Sequence, residues 1–596
     1  MRMRKHMLTV LIVAVLVVVG FFGLIRLAVT QTPKPMPQIV TELSTLPEDA
    51  RLRVTSEAIA ALRRELRAAP DPATVPNALT SRAPVYVALR SNGELKGSAW
   101  AAEHSIIENL RRATAIALDE VAPEDVDAID AIEVCLTYDY KLVAVLTGVR
   151  PPDNKDAGIL GIQLSRGTTI RRYAPTELLA RNMSFQKATA EAREALPPDA
   201  SGPEAIKTFA AHQILIDVAN ASSVQLFRGN VLIPFEAVTK DSVRALGNSI
   251  AGWMQANSEK DGNFRYKYWP SRGEYSDASN TIRRLLGTVA VQRWASVANN
   301  PDLDSLAARN LDATLASHYR LENNLGCIYD GEAVKLGAVG LALLAIVESP
   351  NRQNFADHEA ALKRTLDHLW NKDTGAFRTF LVPADRNDNQ NFYPGEALLA
   401  WGALFAESND AALRDKIMKS FAYYRDWHRK NRNPAFVPWH TQAYALVWQK
   451  TRDDALRDFI FEMNDWLVTT QQWDNAPYPD MKGRFYAPDF PGYGPPHASS
   501  TGVYMEGLVA AHQVATGAGD AARAETYRLA MLRGLRSIMQ LQFADAVDMY
   551  YVSRRDIVAG GIRTTEYNNE LRVDNAAHNL LAIACICSQL PADLLP

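Results

Sequence analysis

Carboxylates and imidazoles recur in this 596-residue chain where polar or aromatic residues give way to long apolar runs. In residues 391–405, NFYPGEALLAWGALF, Pro394 suits the first helical position and Glu396 the positive first turn. An apolar surround would raise the Glu396 pKa towards neutrality and fit it for general acid or base work. Residues 328–346, IYDGEAVKLGAVGLALLAI, open on Asp330 and Glu332, where Asp330 suits an N-cap and Glu332 the first turn. His440, His497 and His578 stand near the openings of three later runs. Imidazole exchanges protons near neutral pH, as removal of a proton beside a carboxylate or carbonyl requires. Tyr393 or Tyr444 would be the opposing acid. Glu506 lies deeper in its run, and a buried carboxylate there needs a partner. Each of these groups has a structural alternative as a helix cap or a satisfied core polar group. Hydrolysis would instead need two carboxylates separated by about 5 Å or by about 6.5–9.5 Å, a distance that sequence does not contain.

Six such openings can be marked at Glu274, Glu332, Glu396, His440, Ser500 and Asp574, with spacings of 58, 64, 44, 60 and 74 residues. Between them run amphipathic charged stretches such as 357–370 and 410–428, which read as outer helices around buried inner ones. Inner and outer helices in six pairs predict an all-α (α/α)6 toroid. Six parallel inner helices would gather their positive ends at one rim, each favouring an anion by about 0.3–1 kcal/mol. Tyr266, Tyr268, Trp269, Tyr275, Tyr329, Tyr393, Trp439 and Tyr504 fall near the same ends, and flat rings with a polar tip suit sugar rings. Arg272, Arg283 and Arg572 could hold a uronate carboxylate. Acidic polysaccharide or oligosaccharide is therefore the expected ligand. Candidate catalytic residues are Glu396, Glu332, His440, His497 and Tyr393. Candidate binding residues are Tyr266, Tyr268, Arg272, Tyr275, Asp330, Trp439, Tyr504, Glu506, Arg572 and His578. Lyase or epimerase chemistry, hydrolysis, and binding without turnover all remain open. The aromatic, Pro- and Gly-rich segment 471–496 is expected to fold across an opening.

The remaining chain bounds these readings. A net charge of −3 and a pI near 6.4 give no reason to expect nucleic acid. The length exceeds one core, so several units are expected. Residues 1–6 read as a cytoplasmic tail and 7–29 as an N-terminal transmembrane helix, since basic residues precede an uncharged apolar run. That topology places the bulk of the chain in the periplasm or outside the cell. Residues 30–44 read as a linker, 45–240 as an α/β domain and 241–596 as the toroid. The α/β reading rests on a helix at 57–68, strands at 83–89, 94–100, 131–138, 142–148, 158–164 and 222–227, and helices at 106–121 and 175–196. The four cysteines, at 135, 327, 585 and 587, form no disulfide framework and read as buried small residues. No metal-ligand spacing is present, and no metal or cofactor is expected.

Two resemblances follow from particular stretches. VYVALRSNGELKGSAW, residues 85–100, and GILGIQLSRGTTIRRYAPTELL within 158–196 resemble the AMMECR family. Ser98 occupies the place where that family's motif carries Cys, which excludes thiol chemistry there. The resemblance implies a fold and a binding or scaffolding module more than an activity. GNFRYKYWPSRGEYSDASNTIRRLLG, DGEAVKLGAVGLALL and YPGEALLA resemble the six-hairpin proteins of bacterial exopolysaccharide and capsule systems. That group includes glycoside hydrolases, polysaccharide lyases, glucuronyl C5-epimerases and N-acylglucosamine 2-epimerases. It implies the toroid and a carbohydrate ligand without choosing a reaction.

Overall fold

Hairpin chemistry starts the described chain: Asn92 and Gly93 both take positive φ, as a two-residue turn between antiparallel strands requires. The structure is a computed structural model that describes residues 82–144, 152–220, 222–590 and Leu595. The expected tail, anchor, linker and 57–68 helix lie outside the described residues. Among the described residues, no helix is long and apolar enough to cross a membrane.

The α/β unit comprises β1 (Val85–Ser91), β2 (Glu94–Ala101), α1 (Ile106–Asp119), β3 (Ala131–Ala144), β4 (Leu160–Arg166), β5 (Thr169–Tyr173), α2 (Pro175–Ala180), α3 (Phe185–Glu194), β6 (Glu204–Asp217) and β7 (Ser222–Leu226). Its antiparallel sheet runs β2-β1-β3-β6-β4-β5, with β7 added to β6. Two expectations change here. The strands expected at 131–138 and 142–148 begin as one strand, β3, whose pairing with β6 shifts register after Tyr138. The helix expected over 175–196 breaks into α2 and α3, because Asn182 turns into left-handed backbone and Ser184 caps the second helix through Lys187 N.

The helical unit alternates outer and inner helices. In chain order these are α4 (Lys240–Ala256), α5 (Thr281–Ala298), α6 (Pro301–His318), α7 (Leu336–Val347), α8 (Ala356–Leu369), α9 (Tyr393–Ser408), α10 (Ala411–Lys430), α11 (Val437–Thr451), α12 (Asp454–Val468), α13 (Ala498–Gly517), α14 (Ala521–Leu541) and α15 (Val573–Gln589). The odd-numbered helices from α5 onwards pack each on the next, and α15 returns to α5, so the inner ring closes. Its helices are parallel. At one end Gly395 of α9 meets Trp439 and His440 of α11, and Arg283 of α5 bonds Asp574 of α15. At the other end Arg293 bonds Glu348 at 2.7–2.8 Å, and Gly517 meets Trp448.

Composition explains the two layers. Every residue of α7, LGAVGLALLAIV, is buried, and Gly340 lets its backbone approach that of Ala397. Outer α10 buries only Ile417, Ser420, Phe421, Tyr424 and His428, one stripe of an otherwise charged helix. Trp401 of α9 is 2% exposed between Phe377 and Trp370; truncation to Ala would cost about 3–5 kcal/mol. Short hairpins precede several inner helices: β10 (Tyr319–Glu322), β11 (Leu325–Asp330) and β12 (Ala333–Lys335) lead into α7. β13 (Phe380–Val382) joins them, while β14 (Arg563–Thr565), β15 (Asn568–Arg572), β8 (Lys267–Trp269) and β9 (Glu274–Tyr275) form a second sheet in the order β14-β15-β8-β9 before α15.

The α/β unit docks at the end where the inner helices begin. Arg228 donates to Asp480 at 2.6 Å with both side chains buried, and Tyr478 donates to Asp156 at 2.8 Å. Asn569 reaches the Leu179 carbonyl at 2.7 Å. The Gly93 turn presses so closely on Val552 that a side chain there would collide with the carbonyl.

Candidate active site

Polar side chains that most of the inner wall excludes gather at this rim. Asp574 opens α15 and accepts from Arg283 Nε at 2.8 Å and Arg572 Nε at 2.9 Å, with Arg572 Nη2 on its second oxygen. Burial alone would raise the Asp574 carboxyl, but the two guanidiniums outweigh it and hold the pKa at about 2. Glu570 accepts from Lys267 Nζ and Trp269 Nε1, each at 3.0 Å. Arg283, Arg572 and Lys267 thus face Asp574 and Glu570, leaving one positive charge in excess.

One turn beyond Asp574, His578 shares its helix face. Its Nδ1 lies 2.8 Å from Glu506 Oε1, on α13. Gln442 of α11 lies beside Glu506 with Nε2 donating to the Pro438 carbonyl at 3.3 Å, and Trp439, one turn before Gln442, meets the imidazole edge-on at 5.8 Å. Burial pushes the Glu506 carboxyl up, with His578 foremost among the groups pulling it down. A carboxylate at Nδ1 favours the tautomer with the proton there, so Nε2 is the free acceptor.

Glu396 completes the wall from α9. Its Oε2 is buried with no hydrogen-bond partner, and burial pushes its carboxyl to about 8, with Arg283 opposing. It is therefore mostly protonated at pH 7. It fits only because α7 carries Gly337 opposite, where a Cβ would overlap Oε2. Tyr393, one turn earlier and half-buried, is pushed to about 12 by burial and then by Glu396.

The other expected residues divide. His497 occupies the N-cap position of α13 without a capping bond; burial, then Arg572, lowers its pKa. Tyr266 lies under the Arg283 guanidinium at 5.7 Å. Arg272 is exposed and covers Trp269 at 4.9 Å. Trp439 and Tyr504 are each 5% exposed, Tyr504 against Phe485. Tyr268 is a core residue at 1% exposure, packed on Tyr275, whose hydroxyl donates to Asn257.

Three placements correct the sequence reading. His440 is fully buried, stacked on Phe436 at 3.6 Å and packed on Tyr424 of outer α10, with Nδ1 2.9 Å from the Tyr444 hydroxyl. Burial drives its pKa well down, so it is a neutral residue between the layers. Glu332 sits exposed in the β11–β12 turn, because β12 intervenes before α7 begins at Leu336. Asp330 accepts from Thr281 Oγ1 at 3.2 Å, at the start of α5, and pairs with Lys335 instead of capping its own helix.

Lys267, Glu570, Gln442 and Gly337 enter the site without having been singled out. Segment 471–496 spans from the α/β unit, through Asp480, to the rim, where Asp489–Tyr493 residues and Asn391 line a cavity of about 430 Å³. Among the described residues, no cluster of three or more His, Cys, Asp or Glu is arranged to hold a metal.

No protein-family model and no curated protein matches the sequence. Among solved structures, a D-mannose isomerase is similar with TM-score 0.45 and 12% identity, covering 60% of this chain and 99% of its own. An alpha-1,6-mannanase from Salegentibacter sp. gives 0.42 and 9%, covering 58% and 98%. An uncharacterized protein from Pyrococcus horikoshii gives 0.25 and 17%, covering 30% and 95%.

Proposed function

We propose that the toroid acts on an acidic envelope polysaccharide by removing the proton beside a uronate carboxylate, as a lyase or epimerase does. One observation carries this: the His578–Glu506 pair stands one helical turn from a cationic cluster with a single charge in excess. A uronate carboxylate would take up that charge on Arg283 or Arg572. Neutralising the carboxylate makes the neighbouring C5 proton more acidic, and His578 Nε2 accepts it while Glu506 stabilises the imidazolium. Glu396, protonated at pH 7, returns a proton. Delivery to C5 from the opposite face gives the epimer; delivery to the departing glycosidic oxygen gives the unsaturated uronate.

Hydrolysis has less support. Asp574 has both oxygens on arginines and Glu506 is committed to His578, so neither is free to serve as the second carboxylate. We read residues 7–29 as an anchor that would hold this activity outside the cytoplasm. We read the AMMECR-like unit as a scaffold that steadies the rim through Arg228 and Asp480.

The test is incubation of the full chain with uronate-containing and neutral polysaccharides in deuterated buffer. Unsaturated-uronate absorbance identifies a lyase, and deuterium at C5 without cleavage an epimerase. New reducing ends without the alkene, or retention on the glycan with no product, contradicts the proposal in favour of a hydrolase or a binding protein.

A further inference from the structure

A second cavity adjoins the rim, on the far side of Tyr266. It measures about 300 Å³ and is lined by Asn263, Arg265, Tyr266, Tyr275, Arg284 and Val573, with the turn at 276–280. That volume lies at the lower end of small-molecule sites, roughly 300–1,000 Å³.

Two residues join it to the charged cluster. Val573 stands between Arg572 and Asp574 and donates its N–H to the Tyr266 carbonyl at 3.0 Å. The Tyr266 ring in turn carries the Arg283 guanidinium. The cavity and the cluster therefore share a wall one side chain thick.

Its own cation is Arg284. Nη1 lies 3.0 Å from His318 Nε2 and Nη2 donates to Ser279 Oγ at 3.1 Å; among the described residues no carboxylate reaches ion-pair distance. Its partly buried charge thus has no ion-pair partner, with Asp261, Glu259 and Asp330 the nearest opposing charges. Of the lining carboxylates, Glu259 sits 3.7 Å from Arg265 and Asp277 is exposed. Asn263 Nδ2 donates to Asp261 Oδ2 at 2.7 Å, which holds that side chain against the cavity wall. The Tyr275 ring, covered by Arg265 at 4.5 Å, and the Tyr266 ring complete the lining.

We propose that this cavity binds the acidic sugar next to the reacting one in a polymeric substrate, with Arg284 taking its carboxylate. The inference rests on the proposed function and adds that recognition extends beyond a single sugar. A substrate too short to reach Arg284 forfeits this contact, while the chemistry at the rim is unchanged.

The experiment compares uronate disaccharide and hexasaccharide on the full-length wild type, Arg284→Gln and Asn263→Asp, with melting temperatures recorded for each. For Arg284→Gln the hexasaccharide KM rises about ten- to a hundredfold, the scale of a lost charge-assisted hydrogen bond. Its kcat and both disaccharide constants stay at the wild-type level. Asn263→Asp, which adds a negative charge, gives the same split. An unchanged hexasaccharide KM in both variants, or an equal loss for both substrates, overturns this role for the cavity. If the wild type neither binds nor turns over either oligosaccharide, the functional reading itself falls, and the subsite with it.

Discussion

Glu396→Gln replaces a buried carboxyl by an amide of the same shape, and its effect on stability should depend on pH. The folded carboxyl titrates at about 8 against an ordinary 4.5. Because the folded value is the higher, the unfolded chain releases its proton first as pH rises. The resulting destabilisation is absent below 4.5, grows between 4.5 and 8, and is complete above about 8. At 1.36 kcal/mol for each pH unit it reaches about 3 kcal/mol at pH 7 and about 4 kcal/mol at pH 8. The amide does not titrate, and its cost of lying unpaired, about 1–3 kcal/mol, is the same at both pH values. Urea or thermal unfolding of the two proteins at pH 5 and pH 8 therefore isolates the carboxyl. The stability of Glu396→Gln relative to wild type should improve by about 3.5 kcal/mol between those two conditions. A difference that does not change with pH would mean that Glu396 ionises normally, and the assignment of a neutral acid to this wall would be wrong. Turnover of an acidic glycan should fall about 10²- to 10⁴-fold in the same variant.

Gly337→Ala should force Glu396 out of place, costing about 1–3 kcal/mol in unfolding measurements. In a Glu396→Ala background the same change should cost far less, a coupling that a double-mutant cycle reads directly. Glu506→Gln should leave the His578 ring in place but remove the charge that stabilises its imidazolium, lowering kcat about 10²-fold or more with KM little changed. Equal losses in kcat for Glu506→Gln and a rim-exposed control such as Glu332→Gln would count against the dyad. Asp480→Ala strands the buried Arg228 guanidinium and should cost about 3–5 kcal/mol, seen as earlier proteolysis between the α/β unit and the toroid.

The alternation of layers was readable because α7 is apolar throughout while α8 and α10 carry one apolar stripe each. Where inner helices begin was less readable. β12 and β15 are three and five residues long, too short for a period of two to declare itself, so the sequence pattern reads Glu332 as helical. β6 gives no strand signal of its own: EAIKTFAAHQILID does not alternate cleanly, and its partners β3 and β4 come earlier in the chain. Among site residues, Glu506 announced a need for a partner, but His578 stands 72 positions away and only closure of the ring brings it near. His440 could not be told from a rim residue by sequence, because its place depends on Phe436 and on Tyr424 from the outer layer. Gly337 carries no local signal at all; its meaning lies in the side chain of the next inner helix.

A crystal structure of the Glu396→Gln protein soaked with a uronate oligosaccharide tests the central claim most directly. A sugar carboxylate should lie on Arg283 or Arg572, with the C5 hydrogen of that sugar facing His578 Nε2. An oligosaccharide bound anywhere other than this rim, or one whose C5 points away from His578, would contradict it.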